Sequence, residues 1–484
     1  MTSPYETIPL YPLANPRSIA FFGASNRYTA MGTNQLNSIL ALGFEGAIYP
    51  IHPSESTVLG MQAYQDVQAL PEVPDLAVLV MPTRLVAETL AACGRKGIRH
   101  AIVVSGGFKE VGGDGVQMEA DLVAVARRHG MRFIGPNCLG VVNPHHRFNV
   151  TFANFEGRPG FIGMASQSGS LLTQMFRYLE QFQIGFSTGI SVGNEADVDL
   201  VDCLEYLAAC PHTRVITLYI ETIRRGRRFI DTARRIAARK PIVAFYAGGS
   251  EAGRRAAFSH TGAMAGPDRL YDGVFAQSGI VRADSLTELF DFAWVLGQCA
   301  IPQGNRVIVQ THSGGPGAAA ADACSRNGLS LPPFAPETLA KLRPLIPHTG
   351  SMNNPVDLTF SRDPMEYFRS IPEVLLQEPG ADSMLLYCFT PRKNVMRIMQ
   401  AEGLSEEEAL QLAAQMAEEH SRKLADLVRQ CGKPLLGFSY QNAEELIIRK
   451  ILESGIPILP SPERAARALW ALVHYGRIQA KLGA

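Results

Sequence analysis

An excess of charge of either sign is missing from this chain. Among its 484 residues Lys and Arg number 45 and Asp and Glu also 45, so the net charge is zero with neutral histidines. A dedicated nucleic-acid or membrane-surface binder carries a basic excess, so neither nucleic acid nor membrane is expected as a partner. Long apolar runs are missing as well: no stretch approaches the roughly 18–20 residues that span a bilayer. The segment from Met1 to Pro16 has no basic opening followed by a long apolar run, and no secretory signal is expected. The eight cysteines are scattered without a CxxC or a Cys/His ligand spacing. That excludes a disulfide framework and a zinc site, and it suits a reduced, cytoplasmic protein with no metal of its own. A GxxxxGK[ST] phosphate loop is also absent.

What is present is alternation of strand and helix over a length that predicts about three domains. Apolar runs at Ser18–Phe22, Gly46–Ile51, Leu76–Met81, Ala101–Val104 and Arg132–Cys138 read as strands. Helical patterns near Met31–Leu42, Leu85–Gly97 and Glu119–His129 separate them. This is a doubly wound parallel sheet, whose ligands bind at the carboxyl ends of the strands. Ser25, Pro82, Ser105 and Cys138 stand at those ends. The turn Gly23-Ala24-Ser25-Asn26 offers backbone N–H groups and a helix start to a phosphate, or is a plain tight turn. No partner histidine is evident for Cys138 by spacing, so it reads as structural or ligand-lining and not as a nucleophile.

A second set of strands follows a Gly/Pro-containing connection near Thr151–Gly160. Phe161–Ala165 leads into Ser166-Gln167-Ser168-Gly169-Ser170 and then a helix through Glu180. Glycine and serines at a strand-to-helix junction suit an anion, which the first-turn amides and the helix dipole attract. Thr188–Asn194, Val215–Ile220 and Ile242–Tyr246 are further strands. Glu221 closes one of them; its carboxylate either fixes an imidazole tautomer or pairs with Arg224, Arg225, Arg227 or Arg228. Next comes Ser259-His260-Thr261-Gly262-Ala263-Met264-Ala265-Gly266, a histidine among residues of almost no bulk. Such a loop lets a large charged group approach, and a histidine nitrogen can be a nucleophile toward phosphorus; otherwise His260 caps a helix.

In the last part, Val307–Thr311 leads into His312-Ser313-Gly314-Gly315-Pro316-Gly317 and an alanine-rich helix. His312 shapes this turn or joins a phosphate site. Ser383–Cys388 and Pro434–Phe438 are later strands, and Ser405-Glu406-Glu407-Glu408 opens a long amphipathic helix in the form of a capping box. The second and third parts both open with a strand and a Gly/Ser turn, the pattern of a distant repeat.

Together these pieces resemble the alpha subunit of the ADP-forming (NDP-forming) acyl-CoA synthetases, relatives of the succinyl-CoA synthetase alpha subunit. The matching pieces occur in family order. They are Gly23-Ala24-Ser25, Gly135-Pro136-Asn137-Cys138-Leu139-Gly140, Ser166-Gln167-Ser168-Gly169, Ser191 to Asp199, Gly226-Arg227-Arg228-Phe229 and Ser259-His260-Thr261-Gly262. Asn305 to Gly317, Asn354 to Leu358 and Gly455-Ile456-Pro457 resemble the family's additional domain. The resemblance implies a CoA-binding Rossmann-like domain over 1–150, a flavodoxin-like domain with the phosphohistidine loop over 151–300, and a second flavodoxin-like, ligase/CoA-type domain over 301–484.

It also implies roles. His260 is similar to the histidine that becomes phosphorylated, with Glu221 as its supporting glutamate. Ser168, Gly169 and Ser170, and Gly315, Pro316 and Gly317, resemble the paired helix starts that hold the phosphoryl group. Gly23, Ser25, Asn26, Arg27, Pro53, Pro82, Ser105, Gly106, Gly107, Phe108, Asn137 and Cys138 fall in the coenzyme A site. Family members often carry a proline and then a lysine after Gly-Ala-Ser; here Asn26 to Gly32 holds no lysine, and Arg27 is the available cation.

The implied activity is an acid–CoA ligase that interconverts acyl-CoA, phosphate and ADP with carboxylic acid, CoA and ATP. No ATP-grasp module is visible, so Mg²⁺ and ADP/ATP are expected on a separate ATP-grasp beta subunit in a hetero-oligomer. Two rivals are a nucleotide-independent acyl or carbamoyl transfer enzyme and a non-catalytic acyl-CoA-binding protein.

Overall fold

A computed structural model describes residues 4–152, 157–253, 266–359, 366–389 and 392–483. It divides into two compact units, Met1–Asp284 and Ser285–Ala484. His260 lies outside the described residues.

The first unit holds two sheets. In the first, the strands Ser18–Phe22 and Leu76–Leu79 are buried along their whole length. Continuous apolar runs of this kind belong to parallel strands covered on both faces. Five parallel strands lie in the order Ala47–Ile51, Ser18–Phe22, Leu76–Leu79, His100–Val103, Arg132–Ile134, which is 2-1-3-4-5 in chain sequence. The strand order reverses between the first and third, and there the two carboxyl ends diverge into different loops. The helix Asp114–Arg128 begins five residues before the expected Glu119, behind Gly113 at φ +51°.

The second sheet has seven strands. Pro159–Ser166, Phe186–Ser191, Val215–Ile220, Ile242–Tyr246 and Val281–Ala283 are parallel and repeat the 2-1-3-4-5 order. Two short strands extend its edge: Gly140–Asn143 pairs antiparallel with Phe186–Ser191, and Phe148–Asn149 pairs with Gly140–Asn143. The chain therefore leaves the first sheet at Ile134, turns through Gly135–Leu139 and enters the second. A seam of backbone bonds fastens this turn: Val198 N–H to Phe133 C=O at 3.2 Å, Ala196 N–H to Gly135 C=O at 3.1 Å, and Asn194 N–H to Pro136 C=O at 2.9 Å.

The second unit carries a third parallel sheet: Val356–Asp357, Val307–Thr311, Ser383–Tyr387, Leu435–Phe438, Ile458–Leu459, again 2-1-3-4-5. The helices Leu286–Gln298 and Pro462–Leu482 pack together, and Arg464 grips Asp291 with two bonds of 2.8 and 2.7 Å. The long helix Glu406–Cys431 starts with the expected capping box between Ser405 and Glu408. No described helix is long and apolar enough to cross a membrane.

Candidate active site

The first unit contains a cleft of about 670 Å³ at the carboxyl end of its first sheet. Gly23, Pro82, Ser105, Gly106, Asn137 and Cys138 line one part of it, and Gln167, Gly169 and Ser170 line another. Sequence positions read as a coenzyme site and as an anion site thus meet in one cavity. Gly23 has φ +96°, a conformation that favours glycine. The Ser105 hydroxyl donates to the Met81 carbonyl at 2.6 Å and accepts from the Met81 N–H at 3.1 Å, tying the ends of two neighbouring strands. Asn137, at φ +57°, donates its N–H to the Ser105 carbonyl at 2.9 Å. Cys138 is buried; its thiol donates to the Val103 carbonyl at 3.3 Å, and burial pushes it up to about 12. A thiol held neutral in this way is not a nucleophile at physiological pH.

Other expected coenzyme residues do not line the cleft. Ser25 binds its own helix start: its N–H donates to the Thr33 hydroxyl at 3.0 Å, and that hydroxyl donates back to the Ser25 carbonyl at 2.9 Å. Asn26 donates to Glu55 at 2.5 Å and to the Thr57 carbonyl at 2.9 Å. Arg27 and Pro53 are exposed. The Phe108 ring packs in the hydrophobic core, and the N–H groups of Gly107 and Phe108 donate to the Glu110 carboxylate at 2.5 and 3.2 Å.

At the anion site, Ser168 is the N-cap of the helix Gly169–Glu180 and accepts from the Leu171 N–H at 3.4 Å. The geometry of a helix start leaves the N–H groups of Gly169 and Ser170 without intrahelical partners. Upstream, the Ser166 hydroxyl donates to the Ser168 carbonyl at 2.6 Å and accepts from the Ser168 N–H at 3.2 Å. The second unit repeats this device. The Thr311 hydroxyl donates to the Ser313 carbonyl at 2.9 Å and accepts from the Ser313 N–H at 3.2 Å, and the helix Gly314–Arg326 follows. Gly315 there is exposed, with open space where a side chain would stand, whereas Gly317 packs against Thr311. His312 stacks on Tyr367 at 3.4 Å between ring centroids, and burial lowers its imidazole to about 4, so the ring is neutral.

Glu221 is buried immediately after the strand Val215–Ile220. The four arginines that could have claimed it all have other partners: Arg224 donates to the Glu195 carbonyl, Arg225 to Asp199 and Asp202, Arg227 to Asp231, and Arg228 approaches Glu205. Two residues with no role in the sequence reading surround this turn. Gln167 lines the cleft and binds the Glu221 backbone N–H at 2.5 Å. Glu195, at φ +53° and fully buried, accepts from Gln167 at 2.8 Å and from the Leu200 N–H at 2.9 Å. Burial, helped by the nearby Asp199 charge, raises its carboxyl to about 8. Asn194, also on the cleft, accepts from Asn137 at 3.3 Å and donates to Glu110 at 2.5 Å and Glu119 at 2.9 Å. Sequence motifs include all three residues, but most of their partners come from other turns and helices of the chain and only folding reveals them.

Comparison with known proteins matches each layer of this architecture. A CoA binding domain matches residues 17–144, a succinyl-CoA ligase like flavodoxin domain residues 159–296, and a Ligase-CoA domain residues 307–409. The chain is 36% identical to the acetate–CoA ligase [ADP-forming] II subunit alpha of Pyrococcus furiosus, over 96% of this chain and 97% of that one. The chain belongs to the ADP-forming acid–CoA ligases. A second P. furiosus member of this ligase family, the acetate–CoA ligase [ADP-forming] I subunit alpha, is also 36% identical, over 98% and 99% of the two chains. A solved ligase structure is similar throughout: the dinucleotide forming acetyl-coenzyme A synthetase 1 of Ca. Korarchaeum cryptofilum, in complex with phosphate and ADP. It is 34% identical over 98% of each chain, with a TM-score of 0.85.

Proposed function

We propose that this chain is the alpha subunit of a reversible acid–CoA ligase (NDP-forming) that works through an acyl phosphate and a phosphohistidine at His260. The observation that carries this reading is the cleft in which Gly23, Pro82, Ser105 and Asn137 meet the helix start at Gly169 and Ser170. Its volume and glycine-lined wall fit the narrow thioester arm of an acyl-CoA, and its helix terminus fits the phosphate that must meet it.

Phosphate oxygen attacks the thioester carbonyl carbon, the C–S bond breaks and the CoA thiolate leaves. A ring nitrogen of His260 then attacks phosphorus, and the carboxylate leaves. The N–H groups of Gly169 and Ser170 and the helix dipole offset the anionic charge at this end of the cleft. The carboxylate of Glu221 supports the imidazole by fixing its tautomer and balancing the charge it gains. Gly315, Pro316 and Gly317 form the second helix start, where the phosphoryl group is held on its way to the nucleotide.

Relatives named as alpha subunits support a partner subunit for this chain. We assign to that partner the ATP-grasp module with ADP/ATP and Mg²⁺, since phosphoryl transfer needs charge neutralisation and this chain has no Walker-type loop. We place the reaction in the cytoplasm.

The test is direct labelling of the full chain by acetyl [³²P]phosphate. Wild type takes up acid-labile, base-stable label and His260→Ala takes up none; equal labelling of His260→Ala overturns the assignment.

A further inference from the structure

The described part of the site contains one side chain whose hydrogen-bonding capacity is completely used within it. Gln167 follows Ser166, which sits opposite Tyr219 in the parallel ladder between Pro159–Ser166 and Val215–Ile220. Its backbone N–H continues that ladder to the Tyr219 carbonyl at 3.2 Å. Its side chain therefore arrives beside the residues that follow Ile220. Oε1 accepts from the N–H of Glu221 at 2.5 Å and from the N–H of Thr222 at 3.0 Å. Nε2 donates to the Thr222 carbonyl at 2.9 Å and to Oε2 of Glu195 at 2.8 Å. A primary amide has two donor hydrogens and two acceptor lone pairs, and all four are engaged. The reversed amide would set Nε2 against two N–H groups, so its orientation is determined by its neighbours.

The position of Gln167 in the chain matters as much as its partners. It lies one residue before Ser168, the N-cap of the helix Gly169–Glu180, and it lines the cleft. One side chain thus links the helix start that receives an anion to the turn that carries Glu221. Glu195 anchors the far end: it is fully buried and held through its other oxygen by the Leu200 N–H at 2.9 Å.

We infer that Gln167 is a positioning residue for phosphoryl transfer, setting the Glu221 turn at a defined distance from the Gly169 helix start, with Glu195 as its buried anchor. The inference rests on the roles proposed above for His260 and Glu221. Ser166 and Ser168 already shape the helix start without Gln167, through hydroxyl bonds of 2.6 and 3.2 Å. What Gln167 adds is the reach to the next strand. Without it the Glu221 turn loses three hydrogen bonds, and a misplacement of about 1 Å in such a constellation is worth roughly 100-fold in rate.

The test is a double-mutant cycle on the same half-reaction. The initial rate of labelling by acetyl [³²P]phosphate is measured for wild type, Gln167→Ala, Glu221→Gln and the double variant, with CoA binding measured alongside by calorimetry. Gln167→Ala is expected to slow labelling roughly 100-fold, far more than any loss of CoA affinity, and the double variant is expected to be no slower than the slower single one. Wild-type labelling by Gln167→Ala, or a double variant slowed by the product of the two single effects, overturns the inference. If Gln167→Ala melts below the assay temperature, Gln167→Met carries the same cycle, because it keeps most of the side-chain volume and gives up all four hydrogen bonds without adding a charge. Failure of wild type to label at His260 removes the proposed function itself. Labelling with an additive cycle removes only the role of Gln167.

Discussion

Gly23 and Val80 are in backbone contact so close that a Cβ on residue 23 would lie 1.8 Å from the Val80 carbonyl oxygen. The ends of the first and third strands thus meet with no room for a side chain, and this is where the cleft begins. Gly23→Ala must displace the Val80 backbone and hold a left-handed φ of +96°. The backbone conformation alone costs about 1–3 kcal/mol. We expect a lowered melting temperature and a larger proportional loss of CoA affinity, read by calorimetry. Unchanged CoA binding in a folded variant would remove this turn from the coenzyme site.

Ser170 separates stability from function. It is exposed in the first turn of the helix Gly169–Glu180. A carboxylate there complements the helix dipole, worth about 0.3–1 kcal/mol at the surface. The same carboxylate occupies the place proposed for phosphate. Ser170→Asp is therefore expected to melt no lower than wild type while phosphate half-saturation of turnover rises by about tenfold or more, equivalent to ~1.4 kcal/mol. A variant with normal phosphate dependence would move the anion site elsewhere.

Glu195 makes stability depend on pH. The folded carboxyl keeps its proton up to about pH 8, whereas an ordinary glutamate releases it near 4.5. Between these values the folded state binds the extra proton, so stability falls as pH rises through the window and levels off above it. Glu195→Gln removes this contribution. Denaturant midpoints measured from pH 5 to 9 are expected to decline less steeply in the variant; identical slopes would mean that Glu195 is ionised in the fold.

In the second unit the Arg464–Asp291 pair joins the first and last helices. Asp291 is buried, and burial raises its carboxyl despite the guanidinium bonded to it. Arg464→Met leaves that acid unpaired, and breaking a buried pair from one side costs about 3–5 kcal/mol. Adding Asp291→Leu is expected to restore most of the loss in a denaturant titration. If the double variant is no more stable than Arg464→Met, the pair does more than satisfy a buried charge.

The strands Val215–Ile220, Ile242–Tyr246 and Val307–Thr311 were legible to the residue because each is a largely apolar run, broken only by Thr217 in the first and by Gln310 and Thr311 at the end of the third, and each is followed by a polar or small residue. Gly140–Asn143 and Phe148–Asn149 were not. Each is four residues or fewer, and a single turn through Pro144–His146 separates them. Nothing in such a pattern says which sheet will accept them. The glycine and serine positions of the cleft stood out because their composition is unusual at a strand-to-helix junction. Gln167 and Glu195 did not, because their meaning lies in a contact across 28 positions of chain. Phe108 reads like a neighbour of the glycines beside it, yet a large apolar ring next to a strand end is drawn into the core.

The passage of the chain from one sheet into the next between Ile134 and Gly140 has a practical meaning for engineering. In a chimeric ligase that takes its coenzyme half from a relative, a crossover after Asn149 carries foreign edge strands into the border of the second sheet and foreign residues Gly135–Leu139 into its seam with Asn194–Val198. A crossover just after Ile134 keeps the edge strands with the sheet they belong to and leaves the wall of the cleft around Asn137 and Cys138 native.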